Sequence, residues 1–175
     1  MATRGRIGIQ RTDGTVIASY QHWDSYTGGL GYTLCEHWTN MNKTRSAIDL
    51  GNASKWGIVE GTKTDFNDSD SQVHEYQNIY YGRDRGEKDQ GPKVYRDEAE
   101  YLAEGFNSGE EYIYLLKDTG QKDYLGRHVG EWFYATKIWN ESLKDYDPAE
   151  RFLPLQDKAI EHKISILQDS LRRVA

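Results

Sequence analysis

Residues 6–20 read RIGIQRTDGTVIASY, and this stretch decides the fold. Ile7 and Ile9 alternate with Gly8 and Gln10, the period-two pattern of a half-buried strand. Thr12-Asp13-Gly14-Thr15 supplies an Asp-Gly turn, and Val16 to Tyr20 follows as a second apolar run. Two such runs joined by Asp-Gly predict a β-hairpin. The second strand continues into Gln21-His22-Trp23 and breaks at Asp24-Ser25-Tyr26-Thr27-Gly28-Gly29.

Beyond the break the period changes. Leu30, Leu34, Trp38 and Met41 recur at the spacing of an amphipathic helix. A short helix is predicted over Thr44 to Leu50, ending at Gly51, a good C-terminal cap. Trp56 to Val59 reads as a short strand, Gly61 to Gln72 as a polar loop, and His74 to Tyr81 as an aromatic, strand-forming run. Gly82 to Pro92 is loop-like. Arg96 to Phe106 is helical, with Ala99, Leu102, Ala103 and Phe106 on one face. Strands at Tyr112 to Leu116 and Trp132 to Thr136 are joined by a polar hairpin around Thr119-Gly120. Strands and helices without regular β-α-β alternation indicate an α+β fold: an antiparallel sheet with an N-terminal β-hairpin, packed helices and a long C-terminal helix.

That helix is expected from Asp147-Pro148-Ala149-Glu150 onward, an acidic cap with proline in the first turn. The chain thus divides into an α+β globular domain, 1–146, and a C-terminal amphipathic helix, 147–175. Ile160, Ile164, Leu167, Leu171 and Val174 follow a four-three-four-three spacing, the seam of a coiled coil. About two heptads are present, fewer than an autonomous coiled coil needs. The seam therefore either docks on the chain's own sheet or pairs with another copy, giving a homo-oligomer through 160–174.

The 175 residues suit one domain with an appendage. The net charge of -6 argues against general nucleic-acid binding, which needs a basic surface, and against attachment to anionic lipid. A mean hydropathy of -0.87 and no long apolar run exclude a helical membrane span. No secretory signal is visible in MATRGRIGIQRTDG, and a lone cysteine, Cys35, suits a reducing compartment, so a cytoplasmic location is expected. Thirteen tyrosines and five tryptophans against four phenylalanines favour a surface that grips something.

The segment His22-Trp23-Asp24-Ser25-Tyr26-Thr27-Gly28-Gly29-Leu30-Gly31 lies between a strand end and a helix start. Glycines there allow close backbone approach, and the first amides of a helix lack internal partners, which together describe an anion site. His22 and Asp24 are placed to bond ribose or amide groups, and Trp23 or Tyr26 to stack on a base. The competing reading is architectural: Gly28, Gly29 and Gly31 form a tight turn, and Asp24 or Thr27 caps the helix. Arg4 and Arg6, ahead of the first strand, can grip phosphate from the sheet edge, as can the Arg83, Arg85 and Lys88 cluster, which is interleaved with acids. Cys35 and His37 fall on different helix faces, and no metal-binding spacing or cofactor motif occurs. Asp65, Asp68 and Asp70 lack the glycine and terminal glutamate of a calcium loop.

Met1 to Ile9, Asp13-Gly14-Thr15, His22-Trp23-Asp24-x-Tyr26 and Gly28 to Leu34 together resemble a family of small tailed-phage proteins. Its members open with an Ala-Thr-Arg-x-Arg-Ile-Gly-Ile strand and carry a His-Trp-Asp-Gly-Tyr-Pro loop. The match covers about the first 55 residues, with a looser echo in Glu111 to Leu115 and Trp132 to Tyr134. Ser25 and Thr27 stand where the family has glycine and proline. The resemblance implies a phage protein acting in the infected cell, where accessory proteins of this size counter host defences. Some of these are oligomeric sponges for nucleotide immune signals such as cyclic ADP-ribose isomers or cyclic oligonucleotides. Three functions follow as expectations. The first is a non-catalytic binder of a phosphorylated nucleotide signal at the His22–Gly31 loop. The second is a protein-directed inhibitor of a host defence enzyme. The third is an enzyme degrading such signals, with His22 and Asp24 sharing a strand face as acid and base.

Overall fold

The computed structural model describes residues 1–68, 70, 72–147 and 150–175. The hairpin forms as expected from β1 (Gly5–Gln10) and β2 (Val16–Gln21), with Ile9 opposite Ile17. Gly14 takes φ +86°, and the Asp13 carboxylate accepts the Thr15 amide at 3.0 Å, which fixes the turn. β1 then becomes an interior strand. Its other edge pairs in parallel with β6 (Tyr112–Lys122), Ile7 lying opposite Tyr114.

Among the described residues the main sheet continues on one side through β7 (His128–Thr136) to β10 (Leu153–Pro154). On the other side β2 adjoins β3 (Ala53–Lys55) and then β4 (Ile79–Tyr80), with β5 (Lys93–Tyr95) alongside the start of β2. The β1–β6 and β2–β3 pairs are parallel and the other pairs of this sheet antiparallel. The chain is an α+β fold with a mostly antiparallel sheet. A separate ribbon joins β8 (Ile138–Asn140) to β9 (Asp145–Asp147). No helix among the described residues is long and apolar enough to cross a membrane.

Strand alternation supplies two cores. Ile7, Ile9, Ile17, Tyr114, Leu116 and Trp132 cover one face. They meet Leu34 of α1 (Tyr32–His37), Ala47 and Ile48 of α2 (Met41–Asp49), and Ala159 of α6 (Gln156–Val174). Val16, Ala18, Ile113, Leu115 and Ala135 cover the other, against Tyr101, Leu102 and Phe106 of a helix over Glu98–Asn107. That helix is capped by Asp97, whose carboxylate accepts the Glu100 amide at 2.8 Å.

Several expectations are corrected. The Leu30–Met41 stripe packs on the core, with Met41 only partly buried, but it is not one helix: it breaks at Trp38 and restarts at Asn40, whose side chain caps α2 by accepting the Lys43 amide. The break has a cause, because the Trp38 carbonyl accepts the Thr44 hydroxyl and the Trp132 indole, while its own indole donates to the Gly57 carbonyl at 2.8 Å. Gly57 is thereby an acceptor in a loop, and the strand predicted at 56–59 forms instead at β3. The His74–Tyr81 run opens as a short helix, α3 (Gln72–Tyr76), before β4, and a single helical turn, α4 (Tyr81–Arg85), enters the predicted loop, the Glu98–Asn107 helix being α5. The β6–β7 turn lies at Asp123–Gly126, where Asp123 accepts the Leu125 and Arg127 amides, and the Thr119-Gly120 region is a shift in strand register. Of the predicted start at 147–150, Pro148 and Ala149 lie outside the described residues; the helix itself begins at Gln156.

Of the two expectations for the seam, docking on the chain's own sheet is not met. The helix docks through Ala159 and His162, and Ile166 reaches Gly28, whereas Ile164, Leu167, Leu171 and Val174 are half to almost fully exposed.

Trp38 joins both sheet halves to two helices while fully buried. Trp38→Ala is expected to cost about 3–5 kcal/mol in a denaturant titration, from the lost burial and the cavity left behind. Trp38→Phe, which keeps a ring but orphans the Gly57 carbonyl, should cost less.

Candidate ligand-binding site

The predicted site residues fall into two groups, divided by strand alternation. Arg6 lies opposite Tyr20 across β1 and β2, and the same register places Arg4 opposite His22. The four side chains share the face carrying the Glu98–Asn107 helix. Tyr20 Oη and His22 Nδ1 are 2.6 Å apart. Burial pushes the Tyr20 phenol up to about 12. Burial, followed by the Arg4 charge, lowers the His22 pKa, so the imidazole is neutral at pH 7.

Next to this group lies a hollow of about 460 Å³, lined by Arg4, Arg6, Tyr20, Asn52, Lys93 and Glu110 among others. That volume is in the range of small-molecule sites. Two of its cations are already paired. Arg6 donates through Nε to Glu110 Oε1 at 3.0 Å and also bonds the Tyr95 hydroxyl, and Lys93 pairs with Glu104. The Arg4 guanidinium meets no carboxylate or other acceptor among the described residues. Glu110 is 2% exposed, and its Oε2 has no hydrogen-bond partner. The wall therefore holds an exposed guanidinium that no acidic side chain among the described residues neutralises, and one buried carboxylate oxygen without a donor.

The glycine loop is built differently from an open anion cradle. Asp24 turns the chain at φ +57°, and its carbonyl accepts the Leu30 amide at 2.9 Å. Gly29 and Gly31 donate to the Tyr26 carbonyl at 3.0 and 3.3 Å. The Gly28 amide donates to His162 Nδ1 at 3.1 Å, and that same nitrogen is 2.8 Å from the Thr27 hydroxyl. The early amides, which carry the anion affinity of a helix start, are bonded within the protein. Gly28 also lies under α6, where a Cβ would come within 2.8 Å of Ile166 Cδ1 and 3.0 Å of the His162 backbone. Gly31 packs against Tyr114 and Leu155. These two glycines seat a helix.

Trp23, Asp24, Tyr26 and Gly29 line a smaller recess of about 160 Å³ on the α6 side, with Gln21, Lys55, Trp56 and Lys163. Trp23 touches the His22 ring edge-on, with centroids 4.8 Å apart. His22 and Asp24 do not come together as acid and base, because the turn at Asp24 carries it to the other side. Arg83 is held by the buried Asp84 carboxylate and by the carbonyls of Glu60, Gly61 and Asn78, and is structural; Arg85 pairs with Glu87 over the Phe66 ring, and Lys88 is exposed. Tyr20, Asn52, Lys93 and Glu110 were missed by sequence reasoning. Tyr20 alone was accessible to it, through the hairpin register.

Comparison with protein-family models, with characterised proteins and with solved structures finds no match to this chain.

The seating role of Gly28 is testable. Gly28→Val is expected to lose about 1–3 kcal/mol by overpacking and to make α6 cleavable in limited proteolysis. Weaker ligand binding at unchanged stability would instead mark the loop as a ligand cradle.

Proposed function

We propose that the protein sequesters a small phosphorylated ligand of nucleotide type, without turning it over, in the hollow beside Arg4. The observation that carries this reading is the pairing at one wall of an exposed, unneutralised guanidinium with the buried Glu110 Oε2, which has no donor. A phosphate answers the first through charge-assisted bonds, and a sugar hydroxyl answers the second. Inorganic phosphate would leave Glu110 unanswered. Tyr20 offers a half-buried ring, and Lys93 adds charge at the same wall. The hollow carries three cations against two carboxylates, in a chain of net charge -6, so it is locally the favourable place for an anion. The resemblance of residues 1–55 to tailed-phage proteins sets this activity in counter-defence, with an immune second messenger as cargo in the infected cell's cytoplasm.

A panel of nucleotide signals, including cyclic ADP-ribose isomers and cyclic oligonucleotides, tests the reading by native mass spectrometry. The expected result is an adduct of unchanged ligand mass, weakened about 10- to 100-fold in Arg4→Ala with no loss of stability. A protein that binds no member of the panel, or returns a ligand of altered mass, overturns it.

The exposed seam extends the reading to assembly. Five aliphatic side chains in heptad order, from 37% exposed at Ile160 to 88% at Val174, form a stripe complementary to its own copy. A second copy of this chain is the occupant we assign, pairing α6 with α6. Light scattering is expected to give a dimer or higher oligomer that Leu167→Glu with Leu171→Glu converts to monomer.

A further inference from the structure

Two buried polar groups that no part of the fold answers line the small recess. Gln21 is 1% exposed; its Nε2 donates to the Trp23 carbonyl, while Oε1 has no partner. Trp56 is 4% exposed; its ring packs on Trp38, and its indole Nε1 donates to nothing. The two residues that carry this leftover acceptor and donor both line one hollow of about 160 Å³, the two atoms themselves being closed to solvent. Trp23, 46% exposed, and Tyr26 add aromatic surface at the same recess. No residue lines both this recess and the Arg4 hollow.

We infer that the recess is a second binding site, for an uncharged planar ring with an amide-like edge of nucleobase type. Such an edge offers an N–H to Gln21 Oε1 and a carbonyl or ring nitrogen to Trp56 Nε1. The recess is of single-ring size, and aromatic stacking adds to the two hydrogen bonds. A lone buried donor or acceptor is unfavourable, so one of each at a single recess favours a partner that answers both. The site does not depend on phosphate, and it stands or falls separately from the sequestration reading.

The test uses the full ¹⁵N-labelled chain, titrated with uracil, cytosine and nicotinamide while the five indole N–H resonances are followed. One of them, missing in Trp56→Phe, is expected to shift saturably with at least one probe, with Kd on the order of 1 mM, as a fragment of this size permits. Gln21→Met, which retains length and leaves the indole in place, should weaken that probe about tenfold. Arg4→Ala should leave the titration unchanged. The inference is overturned if no indole resonance moves with any probe, or if Gln21→Met binds as well as the parent. It is equally overturned if the Trp56 indole proton shows only a long-lived water that the probes do not displace.

Discussion

The parallel pairing of β1 with β6 is the contact on which the rest of the molecule depends. Each of the flanking hairpins is local, and each alone would be a two-stranded ribbon with marginal stability. Setting Ile7 beside Tyr114 joins them into one sheet and closes a loop of about a hundred residues, whose entropy is offset only because both faces are then covered. The same register brings the chain before β6 alongside the start of β1. The Glu111 amide donates to the Arg4 carbonyl at 2.9 Å, and the Glu110 carboxylate meets Arg6. The hollow's central ion pair is thus a by-product of strand pairing.

Where the sequence was readable, the signal was local. The Asp-Gly hairpin, the helix read over Arg96 to Phe106, the helix ending before Gly51 and the helical spacing of the C-terminal segment all depend on residues a few positions apart, and all occur. What was hidden depends on partners distant in the chain. Trp38 ends a helix that its periodicity would continue, because Gly57, Thr44 and Trp132 all bond to it. The parallel partner of β1 leaves no mark in either strand, since both read simply as apolar.

The site shows the same division. Arg4 and Arg6 were legible as cations near a strand, and the hairpin register adds Tyr20 and His22. The acids and Lys93 lie 87 to 104 residues beyond Arg6. The glycine run was legible as a sharp turn, but not the purpose of that turn. A helix start offers its amides to whatever reaches them first, and here the imidazole of His162, 134 residues on, reaches Gly28. An internal acceptor has taken the place an anion would need.

The interior position of β1 also bears on synthesis. The chain's first strand is the middle of its sheet, so during translation its second edge stays open until residues 112–116 emerge. At about 5–20 residues per second, that wait is on the order of 5–20 s. Until then the nascent hairpin carries an uncovered edge on a ribbon whose two apolar faces lack most of their helices. The order of manufacture therefore runs from the centre of the sheet outward, and the ribosome holds the least protected part of the fold for the longest time.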